Sequence, residues 1–588
     1  MRRRITSSLF YVLIAILLAL TGYTAMGLTE YSFAQVTEYR SPFVGGLPSG
    51  EVRTPIASRV VIVLIDGLRA DAALDPNKMA ILNALGQRGA NIVARTGLPS
   101  LSLPGWTVLL TGAPQEIHEV TTNFYEGVVP VDNLFAQARR AGLSVGLVGT
   151  ESWEQLYGPW IDDLRVTISP SGYENERAIH AADERLVEAA LQALDAPAQV
   201  MLIYFLGPDA FGHGFGAASQ EYEQDVRIID SYLGRVLEKI DLETTTLIIT
   251  SDHGHLDRGG HGGDEPEVTR VPLVLVGAGI RSGASRFEVS QMDIAPTLAV
   301  LSGLPLPTHN QGRPLFEVLD VEPELRAQRK LDWARQQAEF TDWYIRRVGG
   351  RQVSQEGLAR AQSSLDQGSY EIASQRADEY VAQLAVTRDS VRNLRLNRER
   401  FLRLAIGLVV GLLPLFYLLR YPRKDGLVGP LIAALVYFFV YNVIYFGLHR
   451  FGYSLSVYNT EDQLLPFFNN RLMEAAGGAL LAGALVGLSR RGDLASAAVG
   501  ALHTAFLIAY GLVLQILIFY VLWDFQFSWY LPDLTLGFKY YLDLLQLVAV
   551  GLTAPLLPVL AVGIALVARA LGALRATRRR RPVELEEL

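Results

Sequence analysis

Long apolar runs narrow what this chain can fold into more than any other feature. The first, LFYVLIAILLALTGYTAMGL over 9–28, follows Arg2, Arg3 and Arg4. Five more crowd the last third, at about 401–419, 427–448, 472–488, 495–523 and 541–571. A hydrocarbon layer takes roughly 20 helical residues to cross, because every backbone N–H and C=O must be satisfied within the helix. Six transmembrane helices are therefore expected: an N-terminal anchor over 1–28 and a five-helix domain over 401–571. A cleaved leader would have a shorter apolar stretch and a small-x-small exit, to which TGYTAMG is only a poor approximation. The connecting segments RYPRK, SRRGD and RATRRRR alternate with the less basic NTEDQLLPFFNN and DFQFSWYLPD. That alternation predicts an integral membrane protein with both termini, and a basic then acidic tail over 572–588, in the cytoplasm. The large segment between the first two spans then lies on the extracytoplasmic side.

The composition agrees. The chain has no Cys, which suits an exterior domain that neither forms disulfides nor misoxidises. A net charge of -8, with no basic face interleaved with aromatic residues, argues against a nucleic-acid partner.

Within the outer segment, residues 29–56 read as a linker punctuated by Gly and Pro, as in SPFVGGLPSGEVRTP. From Arg59 the pattern becomes short, continuous apolar runs separated by helical stretches: RVVIVLI (59–65), SVGLVG (144–149), QVMLIYF (199–205), TTLIIT (245–250) and VPLVLVG (271–277). Continuous apolar strands alternating with helices predict an α/β fold over 57–319, a mostly parallel sheet with helices on both faces. Residues 320–400, rich in Ala, Gln, Arg and Glu at helical spacing, predict a solvated helical stalk with a hairpin break at Gly368.

Three predicted strands lead into aspartates: VVIVLID into Asp66, LIYFLGPD into Asp209 and LIITSD into Asp252. One alone would be an ordinary helix cap. Three at the carboxyl edge of one sheet, where such folds bind ligands, suggest a site. Histidines accompany two of them, His213 in DAFGH and His253 in DH, with His261 eight residues further on in DHGHLDRGGHGG. Carboxylate and neutral imidazole together suit Zn²⁺ or Mn²⁺. The stretch GLPSLSLPGWTVLLTG offers a nucleophile, because Pro104 favours a helix start that leaves Ser102 at its N-terminus, where backbone donors attract a phosphate. Ser100 stands close enough to compete for the role.

In order and spacing, VLIDGLRAD, PSLSLPGWTVLLTG, PDAFGHGFG, SDHGHLDRGGHGG, RVPLVLVGAGI and QMDIAPTLAVLSGLPLPTHNQGRPL resemble the alkaline phosphatase superfamily across residues 58–315. The resemblance is nearest to its type I phosphodiesterase/nucleotide pyrophosphatase branch. It extends to the GPI ethanolamine-phosphate transferases that decorate membrane glycolipids. It implies that Asp66, Ser102, Asp252 and His253 hold one metal ion and Asp209, His213 and His261 the other. It also implies a phosphoseryl intermediate on Ser102, with Asn123 donating to a non-bridging phosphate oxygen. The branch's usual nucleophile is threonine; here it is serine. His255 occupies a position often apolar in relatives and reads as an exposed loop histidine. His118 and His309 read as structural, and His449 and His503, at or inside membrane spans, have no visible partner.

The expected function is that of a metal-dependent phosphodiesterase, acting on a phosphoester substrate that is lipid or lipid-linked. Alternatives are an ethanolamine-phosphate-type transferase onto a lipid or glycan, a phosphomonoesterase, and a non-enzymatic membrane scaffold. Sulfatases share the fold, but Ser102-Leu-Pro-Gly-Trp106 lacks the arginine of their signature.

Overall fold

The computed structural model describes residues 2–579, apart from 47–49, 170–171, 173–174, 196–197, 421–423 and 491–492. The basic segments RYPRK and SRRGD and the tail 572–588 fall partly outside the described residues.

A single eight-stranded sheet carries the outer domain. Its strands are β1 (Arg59–Ile65), β2 (Ala90–Arg95), β3 (Val145–Thr150), β4 (Asp163–Thr167), β5 (Val200–Phe205), β6 (Thr245–Thr250), β7 (Arg270–Gly277) and β8 (Ala284–Ser290). They lie in the order β4-β3-β5-β1-β6-β7-β2-β8. β1 runs parallel to β5 and β6, β3 to β4 and β5, and β2 to β8. β7 is antiparallel to both its neighbours, β6 and β2.

The five apolar runs are all strands, and their ends match to within a residue. Helices cover both faces of the central strands, so β3, β5 and β6 are buried throughout and no polar alternation survives in them. Three strands carried no such run. β2 alternates buried and half-buried residues, and β4 and β8 close the two edges of the sheet. The order has a direct consequence: β5, β1 and β6 are neighbours, so the segments leaving their carboxyl ends emerge side by side.

The helices that bear on the site and the bundle are α1 (Arg2–Thr37), α2 (Ser102–Thr111), α3 (Gly207–Phe215), α4 (Pro323–Val348), α5 (Glu356–Asp366), α6 (Tyr370–Arg420), α7 (Lys424–Asn442), α8 (Leu464–Ser489), α9 (Leu494–Trp523), α10 (Leu534–Thr553) and α11 (Leu557–Arg579). α1 continues nine residues past position 28, into the expected linker. There the chain docks on the outer domain, through Thr121 Oγ1 donating to Val36 O (2.5 Å) and Tyr39 OH donating to Glu116 O (3.1 Å).

The expected stalk is solvated only in part. α4 packs on the outer domain, where the buried Arg329 guanidinium donates to the carbonyls of Ala299 (2.9 Å) and Leu304 (2.7 Å) and Trp333 Nε1 donates to Gly312 O (3.0 Å). The hairpin break does fall at Gly368, in the left-handed conformation (φ 73°) between α5 and α6. α6 then runs 51 residues, about 75 Å at 1.5 Å per residue, with no interruption at position 400.

Among the described residues, six helices are long and apolar enough to cross a membrane. The last expected span, 541–571, is divided into α10 and α11 around Pro555 and Pro558, whose rings cannot continue an unbroken helical ladder. The two halves follow one path. Ala554 N still reaches Val550 O at the end of α10, and Leu556 N reaches Thr553 O across the junction. Along α8, Gly483 faces Leu557 and Gly487 faces Ala561, an ascending order that a fold-back would reverse.

Candidate active site

Asp66 follows directly on β1, Asp252 stands two residues beyond β6, and Asp209 lies in the first turn of α3, just after β5. Gly67 makes their convergence possible. Its φ is 67°, and a Cβ there would fall 2.6 Å from the Asp209 Cα. His213 lies one turn after Asp209 on the same face of α3, while His253, His255 and His261 come from the loop after β6.

The side chains form two overlapping groups. In the first, His253 Nε2 stands 3.3 Å from Asp66 Oδ1, 3.6 Å from Asp252 Oδ2 and 3.2 Å from Ser102 Oγ. In the second, Asp209 Oδ1 lies 3.5 Å from His213 Nε2, 3.6 Å from His261 Nε2 and 2.8 Å from His255 Nε2. Ligand atoms of Asp66, Asp252 and His253 lie within 4.8 Å of one another, as do those of Asp209, His253, His255 and His261.

The imidazoles are oriented as electron-pair donors. His253 Nδ1 meets Gly254 O at 3.2 Å and His261 Nδ1 meets Ser100 O at 2.9 Å. A carbonyl only accepts, so each Nδ1 carries the hydrogen and each Nε2 presents its lone pair to the centre. His261 Nε2 and His213 Nε2 approach to 3.1 Å, a contact that a bound cation would make favourable. Burial pushes His261 well below the ordinary histidine range, so it is neutral.

The carboxylates point to the same need. Burial, and then the charges of Asp252 and Asp209, push the Asp66 carboxyl well above its usual range. Burial also raises Asp252. Among the described residues, Asp66 Oδ1 is buried without a hydrogen-bond partner, although Oδ2 accepts from Tyr204 OH at 2.6 Å. Asp252 Oδ2 accepts from Trp106 Nε1 at 2.9 Å, and its Oδ1 accepts from the backbone of His253 at 3.0 Å. Two buried carboxylates and the half-buried Asp209, facing imidazole nitrogens, are a donor set fitted to divalent cations.

Ser102 is the first residue of α2, and Leu101 before it is extended. Asn123 Oδ1 accepts from Leu103 N at 3.1 Å, which sets that side chain beside the start of the helix. Ser100 is engaged elsewhere: its Oγ donates to Gly263 O at 2.7 Å and accepts from Gly262 N at 3.1 Å. Of the two serines, Ser102 faces the cluster.

His255 is not an exposed loop histidine. It is fully buried, donates to Asp209, and lies edge-on to His213 at 4.7 Å between ring centres. Burial lowers it to about 4. His118 and His309 lie outside the cluster: His118 Nδ1 accepts from Val120 N at 3.1 Å, and His309 Nε2 holds Gly45 O at 2.6 Å. The membrane histidines have partners, His449 with Glu474 (3.1 Å) and His503 with the Tyr417 hydroxyl (3.0 Å). Trp106 and Tyr204, which fix the two aspartates, escaped the sequence reading. Only Trp106 left a signal there, standing one helical turn after Ser102.

Residues 60–259 match the family model for type I phosphodiesterase / nucleotide pyrophosphatase. GPI ethanolamine phosphate transferase 1 of Aspergillus fumigatus is 28% identical over 355 residues, which are 49% of this chain and 34% of that protein. The catalytic subunit of human GPI ethanolamine phosphate transferase 2 is 29% identical over 286 residues, 46% of this chain and 29% of that protein. The chain thus spans about a third of the length of these curated relatives. Among solved structures, human ectonucleotide pyrophosphatase / phosphodiesterase 5 superposes with a TM-score of 0.38 at 15% identity, covering 45% of this chain and 100% of that one. The α/β domain of this membrane-helix-bearing chain thus carries a match to the type I phosphodiesterase / nucleotide pyrophosphatase family model, and the chain is similar to the GPI ethanolamine phosphate transferases.

Proposed function

We propose that the chain is a metal-dependent phosphodiesterase-type enzyme that uses Ser102 as nucleophile on a lipid or lipid-linked phosphoester at the extracytoplasmic membrane surface. One observation carries this reading: Asp66, Asp209, Asp252, His213, His253 and His261, drawn from three segments, gather in one cluster beside Ser102. Asp66, Ser102, Asp252 and His253 would hold one ion and Asp209, His213 and His261 the second, with His255 supporting Asp209. Two divalent ions, Zn²⁺ or Mn²⁺, would neutralise these carboxylates and stabilise charge building on the attacking and leaving oxygens.

The chain's own groups supply the rest. The start of α2 presents the positive end of its dipole to the phosphate, Leu103 N being taken by Asn123, Pro104 having no N–H and Gly105 N donating to Leu101 O. Asn123, its oxygen held by Leu103 N–H, turns its amide nitrogen to a non-bridging oxygen. Ser102 Oγ loses its proton to water and bonds to phosphorus as the bond from phosphorus to the leaving oxygen breaks, and that oxygen takes up a proton. Water, or the hydroxyl of an acceptor, then displaces Ser102 in the reverse sense.

A transferase reading is favoured by the homologues named for ethanolamine phosphate transfer and by the contact of the site's rim with a loop of the membrane helices. The alternation of basic and less basic loops supports an extracytoplasmic rim and cytoplasmic termini.

Full-length protein purified in detergent tests the reading. Wild type should retain divalent metal by elemental analysis and cleave an aryl phosphodiester or phosphomonoester. A chelator should stop the reaction, and Zn²⁺ or Mn²⁺ should restore it. Ser102→Ala should lower the rate by roughly a thousandfold or more, as loss of a nucleophile does. Retention of no metal, or a Ser102→Ala rate equal to wild type, would overturn it.

A further inference from the structure

The loop joining α7 to α8, residues 449–463, belongs to the membrane bundle in sequence yet reaches the rim of the site. The Arg258 guanidinium lies over the Phe451 ring at 5.0 Å. Gly263 N donates to Ser456 Oγ at 2.9 Å, and Ser456 Oγ donates to Glu265 at 2.9 Å. These contacts flank the stretch that carries His261. Further along the loop, the Asn459 carboxamide grips His213 at two points. Its Nδ2 donates to the His213 carbonyl oxygen at 2.5 Å, and its Oδ1 stands 3.2 Å from His213 Nδ1.

The two contacts decide each other's polarity. A backbone carbonyl accepts and never donates, so the NH2 end of the amide must face it. That leaves Oδ1 toward the ring, which requires the hydrogen on His213 Nδ1 and a bare lone pair on Nε2. Nε2 is the atom that approaches His261 and Asp209. His253 and His261 receive the same orientation from backbone carbonyls of their own domain, Gly254 and Ser100. His213 sits on a nine-residue helix and takes it from a side chain some 250 positions later in the chain.

We propose that Asn459 is a positioning residue for His213, so that the metal centre is completed by a loop of the membrane bundle and not by the α/β domain alone. The proposal rests on the reading that His213 holds a divalent ion. Outer partners that fix a ligating histidine typically change metal affinity about 10- to 100-fold when removed. The arrangement also couples the chemistry to the bundle, since a shift of α7 against α8 would move the His213 ring.

The test uses the full chain in detergent, loaded with Zn²⁺ alone and titrated with a competing chelator. Wild type should release its zinc in two steps. Asn459→Leu should release one equivalent at roughly 10- to 100-fold lower chelator and leave the other where it was. Asn459→Ser, smaller and still polar, should do the same and serves if the leucine variant folds poorly. With Co²⁺ in place of Zn²⁺, the visible absorption of one site should change in both variants, a signature that a loop holding the fold alone would not produce. Unaltered chelator midpoints and cobalt spectra in both variants would overturn the proposal while leaving the metal reading intact. A wild type that holds no zinc would remove that reading, and this proposal with it.

Discussion

The outer domain and the membrane bundle differ in where their large apolar residues lie. In the domain, the run Val61, Ile62, Val63, Leu64 and Ile65 is completely inaccessible, and large branched side chains fill the space between sheet and helices. In the bundle, small residues such as Ala479, Ala482, Ala501 and Ala505 share the interior with Tyr437, Ile508, Leu512 and Leu557, while Leu413, Phe416, Phe439 and Val559 project outward at 64–71% exposure. Water drives large apolar groups inward because hiding them is favourable by about 25 cal/mol per Å². Hydrocarbon supplies no such force, so helices associate by close approach of their backbones and leave bulky side chains to the lipid. The sheet therefore hides its large apolar residues, whereas the bundle, with alanines at many of its closest contacts, can leave part of its own outside.

The largest expected effect comes from matched truncations in the two regions. Ile62→Ala in β1 should destabilise the outer domain by about 2–5 kcal/mol, the usual result of emptying a packed core position. Phe416→Ala removes a larger side chain from α6 yet should shift stability by no more than about 0.5 kcal/mol, as surface substitutions do. Thermal unfolding of both variants in detergent decides the matter. Similar losses at the two positions would mean that the outward residues of α6 are packed after all and that the contrast is false.

The same contrast explains what could be read in advance. Buried central strands leave continuous apolar runs, so β1, β3, β5, β6 and β7 were legible, whereas the half-buried β2 and the edge strands β4 and β8 were not. The aspartates at strand ends were visible one at a time. Their meeting depends on β5, β1 and β6 being neighbours, which is a fact of strand order that no single stretch of sequence contains. His255 looked exposed because a glycine-rich loop gives no sign that α3 will cover it. Asn459 could not have been found at all, since nothing local links a loop between two membrane helices to a histidine in DAFGH. The last span looked continuous because hydropathy does not register a proline kink.

The next effect probes the bundle from inside. α1 and α10 meet where Gly22 faces Gly551, and a Cβ on Gly551 would fall 2.5 Å from the Gly22 Cα. The obstacle is backbone, so no rotamer change can relieve it. Gly551→Leu should lower stability by about 1–3 kcal/mol through overpacking, despite adding apolar surface. The fluorescence melt should shift down while the metal content of the outer domain stays as in wild type. An unchanged melt would show that α1 is held by contacts other than this crossing.

The smallest effect concerns how the two regions treat buried charge. The bundle pairs its ionisable groups, Arg471 with Glu474 and Lys539 with Asp543. Behind the candidate site, the outer domain sets two carboxyls against each other: Asp183 and Asp225 are both buried, and an oxygen of each would come within 2.5 Å of a Cβ on Gly207. Asp183 Oδ1 accepts from Leu206 N at 3.0 Å, while Oδ2 lacks a hydrogen-bond partner among the described residues. Burial, and then the charge of Asp225, push Asp183 well above the usual carboxylate range, and burial raises Asp225 although His180, 3.3 Å away, opposes the shift. A carboxyl whose folded pKa exceeds its unfolded value of about 3.9 holds its proton better in the folded state. Its stabilising contribution is complete below that unfolded value and disappears as pH rises through the folded one. Asp183→Asn keeps the acceptor for Leu206 and supplies an N–H to Asp225, so at pH 8 the variant should melt higher than wild type, by about 1 kcal/mol. The advantage should shrink as pH falls and vanish near pH 4. A variant that melts lower at pH 8 would mean that the pair is ionised and held by a cation, in which case the outer domain, like the bundle, buries charge only in neutralised form.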